Sequence, residues 1–523
     1  MTQPLLCETI SAPTMAALRA RRDAATHADL IELRLDHVDR PDVAGALAGR
    51  TRPVLVTCRA AWEGGGFEGS EEERQQILAD ALAAGAEFVD LEWKATGTER
   101  WLQPADLPRI VLSHHDFDAM PRDAAERVRE MRRAGAGVVK LAARASGLRD
   151  LATLLAIGRS ASEGERTVLI GMGPHGLASR VLAAHFGSCW TYAGEGVAPG
   201  QVPAARLLEE FRFRSITADT PVYAVVGRPI LHSLSPCMHN AAFGAAGVRG
   251  VYVPCEAADW DDFLALADAL PLAGASVTAP FKQHAFAHSQ IADADASSAE
   301  AVNTLRAIPG ASALSPEGWE GRNTDVAGFL APLESRVALK HLRVAVLGAG
   351  GAARGIVHAL GTHGARVTVH ARDPRAAADV AALAGGDAAS LTVPGGSWDL
   401  LVNTTPIGTF PNVDETPCDG PFDGRLVYDL IYNPRQTRLL RMAAAAGCET
   451  IDGLEMLVQQ AARQFAWWTG VTPDVDLMRA AAVRRLATVH GQTPPDTSAP
   501  ASPGSAASST PRDLAQAQNQ AHG

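Results

Sequence analysis

Eight short apolar runs recur through the first 220 residues, and helix-like segments separate most of them. The runs are PLLCETI, LIELRLD, VLVTCR, FVDLEW, RIVLSHHD, VVKLAA, TVLIGM and CWTYAG. Between them lie stretches such as EEERQQILADALAAG, AAERVREMRRAG and LRDLATLLAIG, which read as helices. Eight strand-then-helix units in succession predict a (β/α)8 TIM barrel over residues 1–215, near the short end of the range for that fold.

A break follows at FRFRSITADTP, residues 211 to 221, and a second α/β alternation begins. VYAVVG, VYVPCE and ASVTAPF open it; RVAVLGAGGAARGIVHAL, ARVTVHAR, LLVNTT and RLVYDLIY continue it. The expectation is a two-lobed unit, with one lobe over 220–330 and a dinucleotide-binding Rossmann lobe over 331–488 whose last helices return to the first lobe. At 523 residues the chain is too long for one domain. Residues 489–523 are rich in Pro, Ser, Ala and Gly and have no apolar face, which predicts a disordered tail.

The net charge is −11 and basic residues form no stripe, which argues against a nucleic-acid partner. No run reaches the ~18 apolar residues of a membrane span, and the first residues carry no secretory pattern. Seven cysteines without CxxC spacing read as reduced thiols, and a cytoplasmic address is expected.

Of 47 basic residues only Lys94, Lys140, Lys282 and Lys340 are lysine. Arginine serves a surface as well, but it cannot release its proton to become a nucleophile or base. A chain sparing with lysine retains it where the amine is needed. Lys140 lies inside VVKLAA, and its neighbours Val138, Val139 and Leu141 predict an apolar surround that favours the reactive amine. Catalytic groups of such barrels sit at the carboxyl ends of strands. Glu32, Arg34, Arg59, Glu92, His115 and Met172 all occur there. A desolvated amine attacking a ketone, a histidine moving a proton and arginines gripping a carboxylate would make a Schiff-base lyase or aldolase.

ELRLD, TCRAAWEGG, SHHDF, VVKLA, MGPHGLASR and APGQ occur in the order of the type I 3-dehydroquinate dehydratase family, which residues 1–215 resemble. The resemblance implies that Lys140 forms the Schiff base, His115 is the general acid and base, and Glu63 orients that histidine. It implies substrate contacts from Glu32, Arg34, Arg59, Met172, Arg180 and Gln201. The family pattern S-x-H-D-F makes the second histidine the active one and leaves His114 a structural role. Val197 departs from the family, which usually has serine there.

GAGGAA, residues 348 to 353, follows the strand RVAVL and opens an alanine-rich helix, the context that holds a pyrophosphate. The next strand ends at His370 with Arg372 two residues on, which favours a 2′-phosphate and hence NADP, although Asp373 follows directly. HSLSP, VTAPFK, AVNT and NTD precede this unit; Lys282 and Asp325, if adjacent, would form an acid–base pair at an alcohol or ketone.

Together with NTTPIG, YDLIYNP and DGLEMLVQQAA, these motifs resemble shikimate dehydrogenase over residues 220–488. The resemblance implies substrate contacts from Ser233, Ser235, Thr278, Asn303, Tyr432 and Gln460, with Lys282 and Asp325 as the catalytic dyad. NADPH would meet Gly348, Ala349, Gly350, Gly351, Ala352, Arg372 and Thr404; no metal is implied. Ser276 and Thr409 depart from the usual asparagine and methionine. The two resemblances meet in consecutive steps of one pathway, as in bifunctional plant enzymes, with 3-dehydroquinate and 3-dehydroshikimate as the small-molecule partners. Two alternatives stay open: a catabolic quinate/shikimate dehydrogenase fused to a dehydratase, or one half serving as an inactive binding or regulatory module.

Overall fold

The structure is a computed structural model that describes residues 3–194, 196, 199–308 and 318–489. Val197 and the tail beyond residue 489 lie outside the described residues.

All eight apolar runs are parallel strands of one sheet: β1 (Leu5–Ser11), β2 (Leu30–Arg34), β3 (Val54–Thr57), β4 (Phe88–Glu92), β5 (Ile110–Asp116), β6 (Val138–Arg144), β7 (Thr167–Met172) and β8 (Trp190–Ala193). β8 pairs with β1, and an isolated bridge from Thr167 to Ser188, just before β8, nearly closes the ring. Along most strands, inward residues are apolar at the amino end and polar at the carboxyl end; β7 is apolar throughout, at Val168, Ile170 and Met172. Cys7, Leu30, Val111 and Val138 form the floor, with Trp190 filling it. Thr9, Glu32, Ser113 and Lys140 follow two residues on, as the period-two alternation of a strand requires.

The strand–helix alternation is incomplete. Two 3₁₀ turns, Thr98–Arg100 and Pro104–Arg109, replace a helix between β4 and β5. Pro104 and Pro108 lie in this short connection, and proline removes the N–H that a helix interior needs.

The middle sheet contains β9 (Val222–Gly227), β10 (Val251–Glu256), β11 (Leu272–Val277), β12 (Ile291–Ala292), β13 (Thr304–Ile308) and β14 (Gly318–Arg322), in the order β10-β9-β11-β13-β14-β12. β13 is antiparallel to both its neighbours. The third sheet is wholly parallel: β15 (Arg343–Leu347), β16 (Arg366–His370), β17 (Asp387–Ala389), β18 (Leu400–Asn403), β19 (Leu426–Asp429) and β20 (Glu449–Ile451), ordered β17-β16-β15-β18-β19-β20. This is the doubly wound Rossmann order, with its switch point between β15 and β18. The helices Gly453–Thr469 and Val475–Val489 pack Phe465, Met478 and Ala482 against Met238 and Phe243 beside the middle sheet. Among the described residues, no helix is long and apolar enough to cross a membrane.

Candidate active sites

Lys140 projects from β6 into the barrel and is only 5% exposed. Val138 and Ala142 share its inward face, whereas Val139 and Leu141 face the helical layer. The expected apolar surround is therefore corrected. The ammonium lies 3.1 Å from Asp90, 3.8 Å from Glu32 and 4.4 Å above the Tyr192 ring. Burial works against charge on Asp90, but Arg59 and Lys140 outweigh it and hold its carboxyl well below the ordinary range. Glu32 accepts hydrogen bonds from Thr9 at 2.8 Å and Thr57 at 2.9 Å.

Parity along β5 separates its two histidines. Ser113 bonds inward to Arg59 and Asp90, and His115 lines the same cavity. His115 Nδ1 lies 2.9 Å from Glu63, whose carboxylate can only accept, so the neutral ring donates there and leaves Nε2 as an acceptor. Burial, Arg59 and Lys140 push this imidazole down to about 3. Burial opposes the Glu63 charge too, yet bonds from His114 and His115 and the charge of Arg59 bring its carboxyl down to about 2.

The three predicted arginines differ. Arg34 places Nε and Nη2 on Asp36 at 2.8 and 2.7 Å. Arg59 is held by Asp90 at 2.9 Å and Glu92 at 3.1 Å, and Glu92 is in turn tied to Arg74 at 2.7 Å. Arg180 has no carboxylate partner among the described residues. It is 2% exposed, bonds the Pro199 carbonyl at 3.2 Å and leaves Nε unpartnered. Burial pulls its pKa down to about 10. An uncompensated buried guanidinium is expensive, and an anionic ligand would offset it.

Every barrel residue predicted as catalytic or substrate-binding lines this one cavity of about 70 Å³. Gln201 donates to Thr9 at 3.1 Å. Sequence reasoning missed Asp90, the nearest carboxylate to Lys140 among the described residues, and Tyr192 beneath it. Asp90 stands two residues before Glu92, so strand parity placed it on the same inward face.

The second cavity, about 360 Å³, lies between the middle and third sheets. Ser233, Ser235, Thr278, Lys282, Asn303, Asp325, Tyr432 and Gln460 all line it. Lys282 opens the helix Lys282–His288 and Asp325 opens Asp325–Glu334. Their side chains meet, with Nζ donating to Oδ2 at 2.5 Å, while Asn303 donates to the other oxygen at 2.8 Å. Ser276 and Gln464 were not predicted as contacts. Ser276 accepts from Tyr252 at 2.6 Å and donates to Gln464 at 2.7 Å, so this departure from asparagine is fully bonded.

Gly351 and Ala352 extend this cavity to the Rossmann loop. Gly348 has φ +104°, and a Cβ there would meet Thr404 Oγ1 at 2.7 Å, so the turn requires glycine. A Cβ at Gly350 or Gly351 would enter open space, the opening a pyrophosphate needs above a helix amino terminus. Thr404 is bonded to Leu347 at 2.7 Å, and Ala349 packs against the third-sheet core. His370 is buried against the Ser390 carbonyl at 2.7 Å. Asp373 caps the next helix by accepting from Arg375 at 2.9 Å, and Arg372 is left exposed at the strand end. These residues fit a dinucleotide with a 2′-phosphate. Among the described residues, no group of three or more His, Cys, Asp or Glu could hold a metal ion.

The fold and its side chains define an enzyme with two sites: a lysine-centred barrel joined to a dinucleotide-dependent oxidoreductase. Residues 6–218 match the family Type I 3-dehydroquinase, 225–305 the shikimate dehydrogenase substrate binding domain, and 453–483 the shikimate 5′-dehydrogenase C-terminal domain. The chain is 33% identical over 491 residues to the chloroplastic bifunctional 3-dehydroquinate dehydratase/shikimate dehydrogenase of Arabidopsis thaliana, covering 86% of this chain and 79% of that one. It is 39% identical to the shikimate dehydrogenase (NADP(+)) of Moorella thermoacetica, over 50% of this chain and 92% of that one. Shikimate 5-dehydrogenase from Thermus thermophilus, solved with NADP(H) and shikimate, aligns with TM-score 0.46 and 34% identity over 51% of this chain and 99% of that one. The chain belongs to the family of bifunctional 3-dehydroquinate dehydratase/shikimate dehydrogenases.

Proposed function

We propose that Lys140 and His115 carry the dehydratase reaction of this family and that Lys282 and Asp325 carry the dehydrogenase reaction. The chain is a bifunctional lyase and oxidoreductase of the shikimate pathway. It converts 3-dehydroquinate to 3-dehydroshikimate and then, with NADPH, to shikimate.

In the barrel, the Lys140 ammonium releases a proton and the free amine attacks the substrate ketone. The adduct regains that proton as its hydroxyl leaves as water, giving an iminium that acidifies the adjacent carbon. His115 Nε2 takes the proton of that carbon. The electron pair expels the hydroxyl one carbon further on, which departs as water with the proton His115 returns. Hydrolysis of the iminium releases the enone and restores the amine. The observation that carries this reading is the buried Arg180, without a carboxylate partner among the described residues, on the same cavity as Lys140 and His115. It suits the substrate carboxylate, while Glu32, Arg34, Arg59, Met172 and Gln201 line the rest.

In the second cavity, Ser233 and Ser235 offer hydroxyls to the product carboxylate. Lys282 gives a proton to the carbonyl oxygen, and Asp325, itself fixed by Asn303, holds the ammonium. NADPH supplies the hydride when bound; Gly348 to Ala352 suit its pyrophosphate and Arg372 its 2′-phosphate. The proposed division of the chain is 1–215, 220–330 and 331–488. Partners are the small-molecule substrates rather than nucleic acid or membrane, and seven free cysteines support the reducing cytoplasm.

Purified chain given 3-dehydroquinate and NADPH should pass through the enone, consume NADPH and yield shikimate. Lys140→Arg should abolish the first step alone, and Lys282→Arg the second. Either variant retaining full activity would refute that lysine's role.

A further inference from the structure

Beside His115 stands a second histidine whose strand position points it away from the barrel. Both rings nevertheless bond one carboxylate. Glu63 Oε2 faces Nδ1 of His115 at 2.9 Å, and Oε1 faces Nδ1 of His114 at 3.3 Å. Arg127, from the helix Ala124–Arg133, lies 2.8 Å from His114 Nε2 and is itself held by Asp123 at 2.8 Å. A guanidinium has only donors, so His114 accepts at Nε2 and carries its hydrogen on Nδ1, aimed at Glu63. The ring is buried, edge-on to Trp93 at 6.0 Å.

We propose that His114 is a positioning residue for the dehydratase reaction: with Arg127 it fixes the plane of the Glu63 carboxylate, which in turn fixes the ring and tautomer of His115. This inference rests on the reading of His115 as the general acid and base. The other charged groups cannot substitute for His114. Arg59 approaches Glu63 at 3.7 Å on the oxygen that His115 already uses. Lys140 and Asp90 act on His115 through their charge. Among the described residues, Oε1 has His114 as its sole partner. A carboxylate held at one oxygen pivots about its Cγ–Cδ bond; held at both, it presents a fixed acceptor. Partners one step removed from a reacting group hold it in this way, and their loss is felt in turnover.

The test compares wild type with His114→Phe, which keeps a ring against Trp93 but removes the donor, and with His114→Asn, whose amide restores an N–H near the Nδ1 position. Dehydratase kcat and KM are measured, and lysine is trapped as its Schiff base with substrate and borohydride. Dehydrogenase turnover of the same preparations reports correct folding. His114→Phe is expected to lower dehydratase kcat on the order of 10-fold, part of the 10²–10⁴ that a general acid–base group contributes. Its KM should stay within about 2-fold, with trapping and the dehydrogenase unchanged. His114→Asn should recover kcat to within about 3-fold of wild type. A His114→Phe enzyme with wild-type kcat, or a His114→Asn enzyme no better than His114→Phe, overturns the inference alone. A wild-type chain that neither dehydrates nor is trapped overturns the underlying reading, and the inference with it.

Discussion

His175 Nδ1 lies 2.8 Å from the carbonyl oxygen of Glu256, so the barrel segment that links Met172 of β7 to Arg180 of the following helix is bonded to the end of β10. The Glu256 carboxylate accepts from the Ile230 N–H at 2.9 Å, and Ile230 lines the dehydrogenase cavity. A wall of one site is thus continuous with a wall of the other. Nearby, Asp262 reaches from the helix Trp260–Ala269 to cap the barrel helix Leu148–Arg159, accepting from Leu148 and Arg149 N–H at 2.9 Å each. A side chain at Gly147 would meet this carboxylate at 2.8 Å.

Asp262→Ala should weaken that seam. It strips the acceptor from two N–H groups of the helix and from Ala258, and the site is 3% exposed, so water cannot readily replace it. Loss of a charged cap costs roughly 2 kcal/mol. Calorimetry should show a lower and broader unfolding transition, with both activities intact at 25 °C. An unaltered transition would assign the seam to apolar contacts instead.

Stability should fall with acid in two overlapping windows. The folded Glu63 carboxyl sits at about 2 against an ordinary 4.5, so its contribution is complete above 4.5 and is lost as pH falls toward 2. The folded His115 imidazole sits at about 3 against 6.5, so below 6.5 the unfolded chain takes the proton first and stability drops. Each unit is worth about 1.4 kcal/mol per group. Urea midpoints at pH 7 and pH 5 should therefore differ by more in wild type than in His115→Gln. Equal differences would mean that the proton uptake occurs elsewhere.

Lys140 and His115 were legible because the chain is sparing with lysine and because barrel chemistry gathers at strand ends. What surrounds Lys140 was not. Val139 and Leu141 are its neighbours in sequence but not in space, and the residues that face it, Asp90 and Tyr192, come from other strands. Arg34 and Arg59 read as ligand groups, yet both are paired within the protein. The pairing of Arg34 with Asp36 is local and could have been foreseen; that of Arg59 with Asp90 depends on which strands adjoin. Asp373 left the cofactor open in sequence, because a capping acid and a ribose-binding acid look alike until its N–H partners are seen. The β13–β14 hairpin escaped notice because Gly318–Arg322 has a single large apolar residue, Trp319.

Arg180→Met should stabilise the ligand-free enzyme while disabling the barrel. Burial lowers this guanidinium to about 10, which means its charge costs stability at neutral pH, and removing it should return about 3 kcal/mol. Losing a charged bond to the substrate carboxylate should raise the dehydratase KM on the order of 100-fold. A higher Tm combined with a higher KM is the signature sought. A variant with an unchanged KM would direct attention to Arg34 or Arg59 for the carboxylate.

Arg372 and Asp373 are adjacent, and the geometry gives them separate work. Arg372 is exposed, with no ion pair among the described residues, at the end of the strand that follows the glycine loop. Asp373 spends its carboxylate on the N–H groups of Arg375 and Ala376. Arg372→Gln should therefore raise the KM for NADPH roughly 10-fold, the worth of one exposed phosphate contact, and leave the NADH value within about 2-fold. Asp373→Ala should cost about 1 kcal/mol of stability through the lost cap and leave the cofactor ratio alone. If Asp373→Ala instead improves NADPH use over NADH, the carboxylate meets the cofactor when it binds, and the cap seen here is exchanged for that contact.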